Sequence, residues 1–254
     1  ITFNNFDGIK DGFKYAGISG AYIDYINDIK IDSQDRIIAA VGDDNQAGGP
    51  CGNPCRITRV TRYDVNGQPD LTFNNGVNHS WAVNISSEWD EASALYVDSN
   101  DHIWVTGILG NGNYWGFLAC IVPGESTAIT YCPEHNAVSA SWTATSAVTY
   151  RQNAIDMDSK GRIVTAGWHA NALPTAGSVA RWKDEPDDAL INKYRGDFSF
   201  GANAVKIFDA FLGGTNNYDE IVQIAVAPDD KIYATGWSFA PDGSYKMFVT
   251  RLNK

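Results

Sequence analysis

The stretch Asp32-Ser-Gln-Asp-Arg-Ile-Ile-Ala-Ala-Val-Gly42 has three counterparts further along the chain. They are Asp98-Ser-Asn-Asp-His-Ile-Trp-Val-Thr-Gly107, Asp158-Ser-Lys-Gly-Arg-Ile-Val-Thr-Ala-Gly167 and Ala227-Pro-Asp-Asp-Lys-Ile-Tyr-Ala-Thr-Gly236. In each, a short polar turn precedes an apolar run that ends in glycine. The pattern predicts a β-hairpin, because Asp and Ser bond back to turn amides while Gly, Asp and Asn accept positive φ.

The four stretches begin at positions 32, 98, 158 and 227, which makes successive copies 66, 60 and 69 residues apart. We number the repeats 1 to 4 after these turns. A period of this length made of short strands indicates one sheet per repeat, with the sheets stacked because none can bury its own face alone. The even spread of the repeats predicts an all-β protein with one domain over residues 1–254.

The two ends of the chain fall at complementary points of the repeat. Residues 1–5 (Ile-Thr-Phe-Asn-Asn) recur at 71–75 and, more loosely, at 198–203, each time after a third strand, while the chain ends on a third strand at 246–252. A strand near residues 8–16 would supply the missing partner and remove open sheet edges. We therefore expect a closed four-bladed β-propeller of four-stranded antiparallel blades; a segment cut from a longer array is the alternative. The expected blades are 18–86, 87–147, 148–213, and 214–254 with 1–17.

Charge and hydropathy restrict the partners of this chain. The formal net charge is −11, which disfavours nucleic acid and anionic membrane surfaces, since neither attracts an acidic protein. The sequence has no apolar run long enough to span a bilayer and no signal-like start. We expect no membrane insertion, and we expect the chain to be a mature product or an excised segment.

The four cysteines fall in two local pairs. Cys51 and Cys55 share a Gly/Pro-rich loop, and Cys120 and Cys132 bracket an excursion in repeat 2. An even number of closely spaced cysteines predicts two local disulfides and an oxidising location outside the cytoplasm. A metal site is the alternative, although the four histidines are scattered singly.

Aspartates recur eight residues before the turn. Asp24, Asp90 and Asp219 occupy this place, and Tyr150 replaces them in repeat 3. In a propeller this place lies at the start of the innermost strand, near the mouth of a central channel. A ring of carboxylates there could hold a calcium ion or a cationic ligand, and we expect no other cofactor. The structural alternative is that each Asp bonds a neighbouring backbone or pairs with an arginine such as Arg62.

The segments after the repeated glycines differ between repeats and are expected to form loops on one face. They span 43–54, 108–115, 168–177 and 237–243. Rigid scaffolds carry recognition on such variable connections, and aromatic rings beside amides and carboxylates suit sugars. The predicted ligand-binding residues are Trp115, Trp168, Trp237, Tyr114, Asn113, Asp24, Asp90 and Asp219. As an alternative, Trp168 and Trp237 occupy matching positions and could wedge between blades.

The residues of repeat 1 also carry a family resemblance. Asp24, Asp32-Ser33, Arg36-Ile37, Arg62-Tyr63 and the segment 71–76 (Leu-Thr-Phe-Asn-Asn-Gly) together resemble the delta-60 repeat of bacterial surface and secreted proteins, with a wider similarity to NHL-type propeller repeats. The resemblance covers essentially the whole chain and implies a scaffold without a catalytic signature. Repeat 2 departs from it most, with Cys120 where the others have arginine.

These observations predict an extracellular or surface-displayed propeller that binds a glycan or cell-surface component without catalysis, like an adhesin or lectin, as part of a larger or multimeric surface protein. Two alternatives stay open. A polysaccharide hydrolase or lyase would need carboxylates about 5–10 Å apart in a cleft. A structural or protein-docking module would expose a broad apolar patch.

Overall fold

The computed structural model describes strands and turns and, within the described residues, no helix. The described ranges are 24–45, 55–73, 80–83, 89–110, 114–122, 149–170, 175–184, 194–196, 205–208, 219–240 and 242–252. The predicted all-β class is confirmed for this part of the chain. The predicted ring closure through residues 1–17 lies outside it, so the propeller, its blade count and its single domain stay predictions.

Four antiparallel sheets follow the four repeats, and each contains a three-stranded meander. Sheet 1 consists of β1 (Asp24–Ile31), β2 (Ile37–Asn45), β3 (Cys55–Tyr63) and β4 (Ser80–Val83), in that order. Sheet 2 consists of β5 (Trp89–Val97), β6 (Ile103–Gly110) and β7 (Tyr114–Ile121).

Sheets 3 and 4 come from the second half of the chain. Sheet 3 consists of β8 (Thr149–Met157), β9 (Ile163–Ala170) and β10 (Thr175–Asp184), with β11 (Tyr194–Gly196) and β12 (Val205–Phe208) both paired to β10. Sheet 4 consists of β13 (Asp219–Val226), β14 (Ile232–Phe239) and β15 (Tyr245–Leu252). The sequence predicts four strands in every blade. Within the described residues, sheets 2 and 4 each have three.

The repeated turns have the chemistry that the sequence predicts. In repeat 1 the Asp32 amide donates to the Arg36 carbonyl at 3.1 Å, and the Asp32 carboxylate accepts bonds from the amides of Gln34 and Arg36. The third turn residue has positive φ in every repeat: Asp35 (59°), Asp101 (62°), Gly161 (73°) and Asp230 (61°). Aspartate tolerates this left-handed conformation better than most residues, so the turn prediction is confirmed.

The repeated glycine has a structural cause. The first strand of sheets 3 and 4 carries an irregularity, between Gln152 and Ala154 and between Ile221 and Gln223. A Cβ on Gly236 would lie 1.9 Å from the Glu220 carbonyl oxygen, well inside any real contact distance. The bulge moves the neighbouring backbone so close to β14 that no side chain fits there.

The chain divides into two compact units. The first holds residues 1–105, 109–111 and 119–133, and the second holds 106–108, 112–118 and 134–254. In the first, Val41, Val60 and Leu95 are among the fully buried side chains. In the second, apolar residues of sheets 3 and 4 form one cluster: Ala154, Val164, Ala166, Val179, Ile221, Ile224, Ile232, Ala234 and Leu252.

Candidate ligand-binding site

Three aromatic rings of sheet 4 lie in contact near the hairpin that joins β14 to β15. The Tyr245 ring meets Trp237 edge to face, with ring centroids 5.1 Å apart and an interplanar angle of 83°. It also meets Phe239 at 5.2 Å and 65°. We call Trp237, Phe239 and Tyr245 the aromatic cluster. Edge-to-face contacts are one of the two arrangements that aromatic rings prefer, so the three rings support one another.

The aromatic cluster belongs to an open face of the sheet. Along β14 buried residues alternate with exposed or half-buried ones, and the cluster lies on the more exposed side. On the neighbouring strand Tyr245 is 67% exposed, Met247 92% and Val249 80%. Met247 pairs with Trp237 across the strands and so continues the same surface. A ligand can therefore reach the cluster from solvent without any rearrangement of the described residues.

The hairpin beside the cluster repeats the turn found elsewhere in the chain. The Ala240 amide donates to the Ser244 carbonyl at 2.8 Å, and Gly243 has positive φ (81°). The Asp242 carboxylate accepts bonds from the hydroxyl and amide of Ser244 and lies 3.1 Å from the Lys246 ammonium. The Ser244 hydroxyl, the Ser244 amide and Lys246 together lower the pKa of Asp242 to about 2. The carboxylate is therefore ionised at neutral pH.

Two predicted tryptophans lie in strands rather than in the loops where they were expected. The segments after Gly167 and Gly236 continue β9 to Ala170 and β14 to Phe239, so Trp168 and Trp237 are strand residues. Both are half-buried. Trp168 pairs with Arg151 and Gly177, whereas Trp237 pairs with Glu220 and Met247. The loop prediction is wrong here because the strands run past the glycine that accommodates the bulge.

Asp219 does not join the aromatic cluster. It is fully buried and pairs with Ser238, which is also buried. Its neighbour Glu220 pairs with Trp237, and neighbouring residues of a strand point to opposite faces. Asp219 and Trp237 therefore share one end of sheet 4 but lie on opposite faces, which places them in separate environments rather than in one site.

The remaining predicted ligand residues are positioned only in part. Asp24 opens β1 opposite Asp43, Asp90 is the second residue of β5, and Tyr114 and Trp115 open β7. The structure does not describe their side chains. Asn113 lies outside the described residues, and the role of all five in binding stays a prediction.

The predicted pairing of aspartate with arginine takes a different form in sheet 1. Arg62 is buried, and its Nε donates to the Asp70 carboxylate at 2.8 Å while its guanidinium lies 4.7 Å from the Phe73 ring centroid. Burial lowers the pKa of Arg62, and Arg36 lowers it further, against the opposing effect of Asp70. Arginine stays charged despite such shifts, so this is a structural ion pair.

Calcium and the disulfides also stay predictions. Within the described residues, no group of three or more His, Cys, Asp or Glu side chains is placed to hold a metal ion. Cys120 is buried in β7 and Cys55 opens β3, but Cys51 and Cys132 lie outside the described ranges.

The described segments contain no helix with the length and hydropathy needed to cross a membrane.

Sequence reasoning missed Phe239, Tyr245 and Met247. A signal for two of them was present, because Phe239 and Tyr245 flank the turn Ala240-Pro-Asp-Gly-Ser244 and face each other across it. An Asp-Gly turn between aromatic residues predicts a cross-strand aromatic pair.

Comparison with known proteins adds no further assignment, since no family model and no curated protein matches this chain.

Proposed function

We propose that the protein binds a glycan without catalysis and that the aromatic cluster of sheet 4 is its binding surface. The observation that carries the proposal is the set of rings at Trp237, Phe239 and Tyr245, which are in mutual contact on an open sheet face. The C–H faces of a sugar ring stack on aromatic surfaces, and polar side chains at the rim bond its hydroxyls. Asp242 and Ser244 supply such groups beside Tyr245.

The expected affinity is weak. A shallow surface that stacks one or two sugar rings and makes few polar bonds gives a dissociation constant of about 0.1–1 mM, or ~4–5 kcal/mol. Display in several copies then provides useful avidity. This agrees with the prediction that the chain belongs to a larger or multimeric surface protein.

A glycan array probed with multimerised protein tests the proposal. Trp237→Ala and Tyr245→Ala are expected to lose at least ten-fold in binding to every glycan that the parent binds, because each removes a ring on which a sugar stacks. Val249→Ala, on the same strand and further from the cluster, is the matched control and should bind like the parent. Unchanged binding by folded Trp237→Ala and Tyr245→Ala proteins would overturn the proposal.

A second candidate function is protein docking, and the exposure of Met247 and Val249 favours it. Both lie on β15, and large apolar patches on a surface often mark interfaces. The two candidates separate by experiment. Glycan binding should tolerate Val249→Lys, whereas docking through this strand should not. A folded protein that binds no glycan on the array would favour docking.

We also propose an extracellular or cell-surface location, which rests on the two predicted disulfides. Mass mapping of non-reduced peptides should recover Cys51 linked to Cys55 and Cys120 linked to Cys132. Four free thiols would place the protein in a reducing compartment and overturn the location.

A further inference from the structure

Among the described residues, three hydrogen-bonded contacts join the strands and turns of repeats 1 and 2. Asn27 donates through Nδ2 to the Ala92 carbonyl at 2.5 Å, and the Asp28 carboxylate accepts from the Leu95 amide at 2.8 Å. At the turns, Ser33 donates through its amide (2.8 Å) and its hydroxyl (2.6 Å) to the Asp101 carboxylate. We call this last contact the inter-turn bond. All these residues belong to the first compact unit.

Three contacts of the same kind are made between repeats 3 and 4. Asn153 donates to the Ile221 carbonyl at 3.0 Å and to the Glu220 carboxylate at 2.7 Å. The Asp156 carboxylate accepts from the Val226 amide at 2.7 Å, two residues further along the strand than Asp28 does in repeat 1. The Ser159 amide donates to Asp230 at 2.9 Å, which forms the second inter-turn bond within the second compact unit.

The side chains that make these contacts are not present in every repeat. The position of Asn27 and Asn153 is occupied by Ser93 in repeat 2 and Val222 in repeat 4. The serine that donates the inter-turn bond is replaced in repeat 4 by Pro228, which has no amide hydrogen. The aspartate that accepts it is replaced in repeat 3 by Gly161, which has no carboxylate. The serine is present in repeats 1, 2 and 3 and the aspartate in repeats 1, 2 and 4, so among successive repeats a serine is followed by an acceptor in the next repeat only from 1 to 2 and from 3 to 4.

We propose that the chain is built from two bonded pairs of repeats, 1 with 2 and 3 with 4, and that each pair opens as its own cooperative unit. Independent hydrogen bonds at three places follow the same two-repeat period, and the residues that make them in each pair lie within one compact unit, although residues 106–108 and 112–118 of repeat 2 belong to the second unit. Cooperative units of this kind correspond to contiguous sets of contacts that form and break together. A two-repeat period also distinguishes this chain from an array in which every neighbouring pair is equivalent.

Matched glycine substitutions at the third turn position test the proposal in the full chain. Asp101→Gly and Asp230→Gly each remove the acceptor of one inter-turn bond, while the positive φ becomes easier to adopt. Asp35→Gly is the control, because Asp35 has the same turn position and φ but receives no inter-turn bond within the described residues. Gly161 shows that the turn itself accepts glycine. The measurements are thermal unfolding and amide hydrogen exchange resolved by peptide.

Relative to Asp35→Gly, the two test variants are expected to lower Tm by about 2–4 °C, as the loss of two hydrogen bonds at Asp101 or one at Asp230 predicts in a chain of this size. Asp101→Gly should speed exchange in 24–45 and 89–105, which belong to the first unit, and leave 149–170 and 219–240 unchanged. Asp230→Gly should do the reverse. Equal acceleration in all four ranges would show one cooperative body and overturn the proposal. A loss in Asp35→Gly as large as in the others would overturn it as well.

Discussion

Strands β9 and β14 occupy the same place in repeats 3 and 4 and have similar sequences, yet their burial differs. Residues 163–167 of β9 are buried on both faces, whereas β14 is buried on alternate residues only. At one matched position Val164 is fully buried and Tyr233 is 41% exposed. The repeat therefore specifies the strand and its bulge, and the choice between apolar and aromatic residues follows the environment of each face.

This difference in burial distinguishes residues of the buried face from residues of the open face, although the repeat pattern does not distinguish them. On the buried face of sheet 4, Ile221, Ile224 and Ala234 belong to the core cluster of the second unit. On the open face, the aromatic cluster and Met247 contribute little to that core. Substitutions on the two sides should therefore affect stability and binding separately.

The largest expected effect comes from a lysine placed at the matched position in each strand. Val164→Lys buries an unpaired charge in the cluster that joins sheets 3 and 4, which should cost more than ~4 kcal/mol and prevent stable folding. Tyr233→Lys, on the open face, should change the free energy of unfolding by less than about 1 kcal/mol. Urea denaturation compares them, and similar losses in both would show that the open face of sheet 4 is buried in solution.

The repeated glycines should be equally important in β9 and β14, because both strands need a glycine there for the same reason. A Cβ at Gly167 would lie 1.8 Å from the Arg151 carbonyl oxygen, much as one at Gly236 would meet Glu220. Gly167→Ala and Gly236→Ala should each cost about 1–3 kcal/mol in urea denaturation as the backbone shifts. Gly243→Asn is the control, since its Cβ has open space and asparagine tolerates positive φ. Parent-like stability of both alanine variants would contradict the bulge explanation.

A smaller difference is expected on the third strands, where Val179 of β10 and Val249 of β15 pair with matched residues of β9 and β14. Val179 is fully buried and Val249 is 80% exposed. Val179→Thr places a hydroxyl in the core and should cost about 1–2 kcal/mol, whereas Val249→Thr should be neutral within ~0.5 kcal/mol. Thermal unfolding measures both. A loss in Val249→Thr equal to that in Val179→Thr would contradict the assigned exposure.

The sequence predicted the turns well because their chemistry is local. Asp32 bonds residues two and four positions away, and the positive φ at Asp35 depends on that short turn alone. The face on which a residue lies is not local in this way. Asp219 and Trp237 were expected in one site because both lie at the same end of a strand, but alternation along paired strands sets them on opposite faces.

The candidate site was predictable only in part for the same reason. Trp237 is visible as an aromatic residue after a repeated glycine, but the openness of its face depends on which sheet packs against which, and no spacing in the sequence reports that. Tyr245 and Phe239 could have been found from the turn between them. The exposure of Met247 and Val249 could not, because a β-strand with alternating apolar residues is equally suited to a buried face.

The smallest expected effect concerns Asp242, in the exposed hairpin at the end of the open face. Its pKa is lowered to about 2, chiefly by the Ser244 hydroxyl, then by the Ser244 amide and Lys246. A carboxylate with a lowered folded-state pKa contributes stability above its unfolded pKa, near 3.9, and loses it as the pH falls through about 2. Because the group is fully exposed, solvent screens the contribution, and Asp242→Asn should leave Tm at pH 7 almost unchanged. The pKa itself should respond more clearly: carboxyl-carbon NMR should give a midpoint near 2 in the parent and a higher one in Ser244→Ala, which keeps the amide bond but removes the hydroxyl. An unchanged midpoint in Ser244→Ala would mean that the hydroxyl does not bond Asp242 in solution, and the rim beside Tyr245 would then be free to rearrange around a ligand.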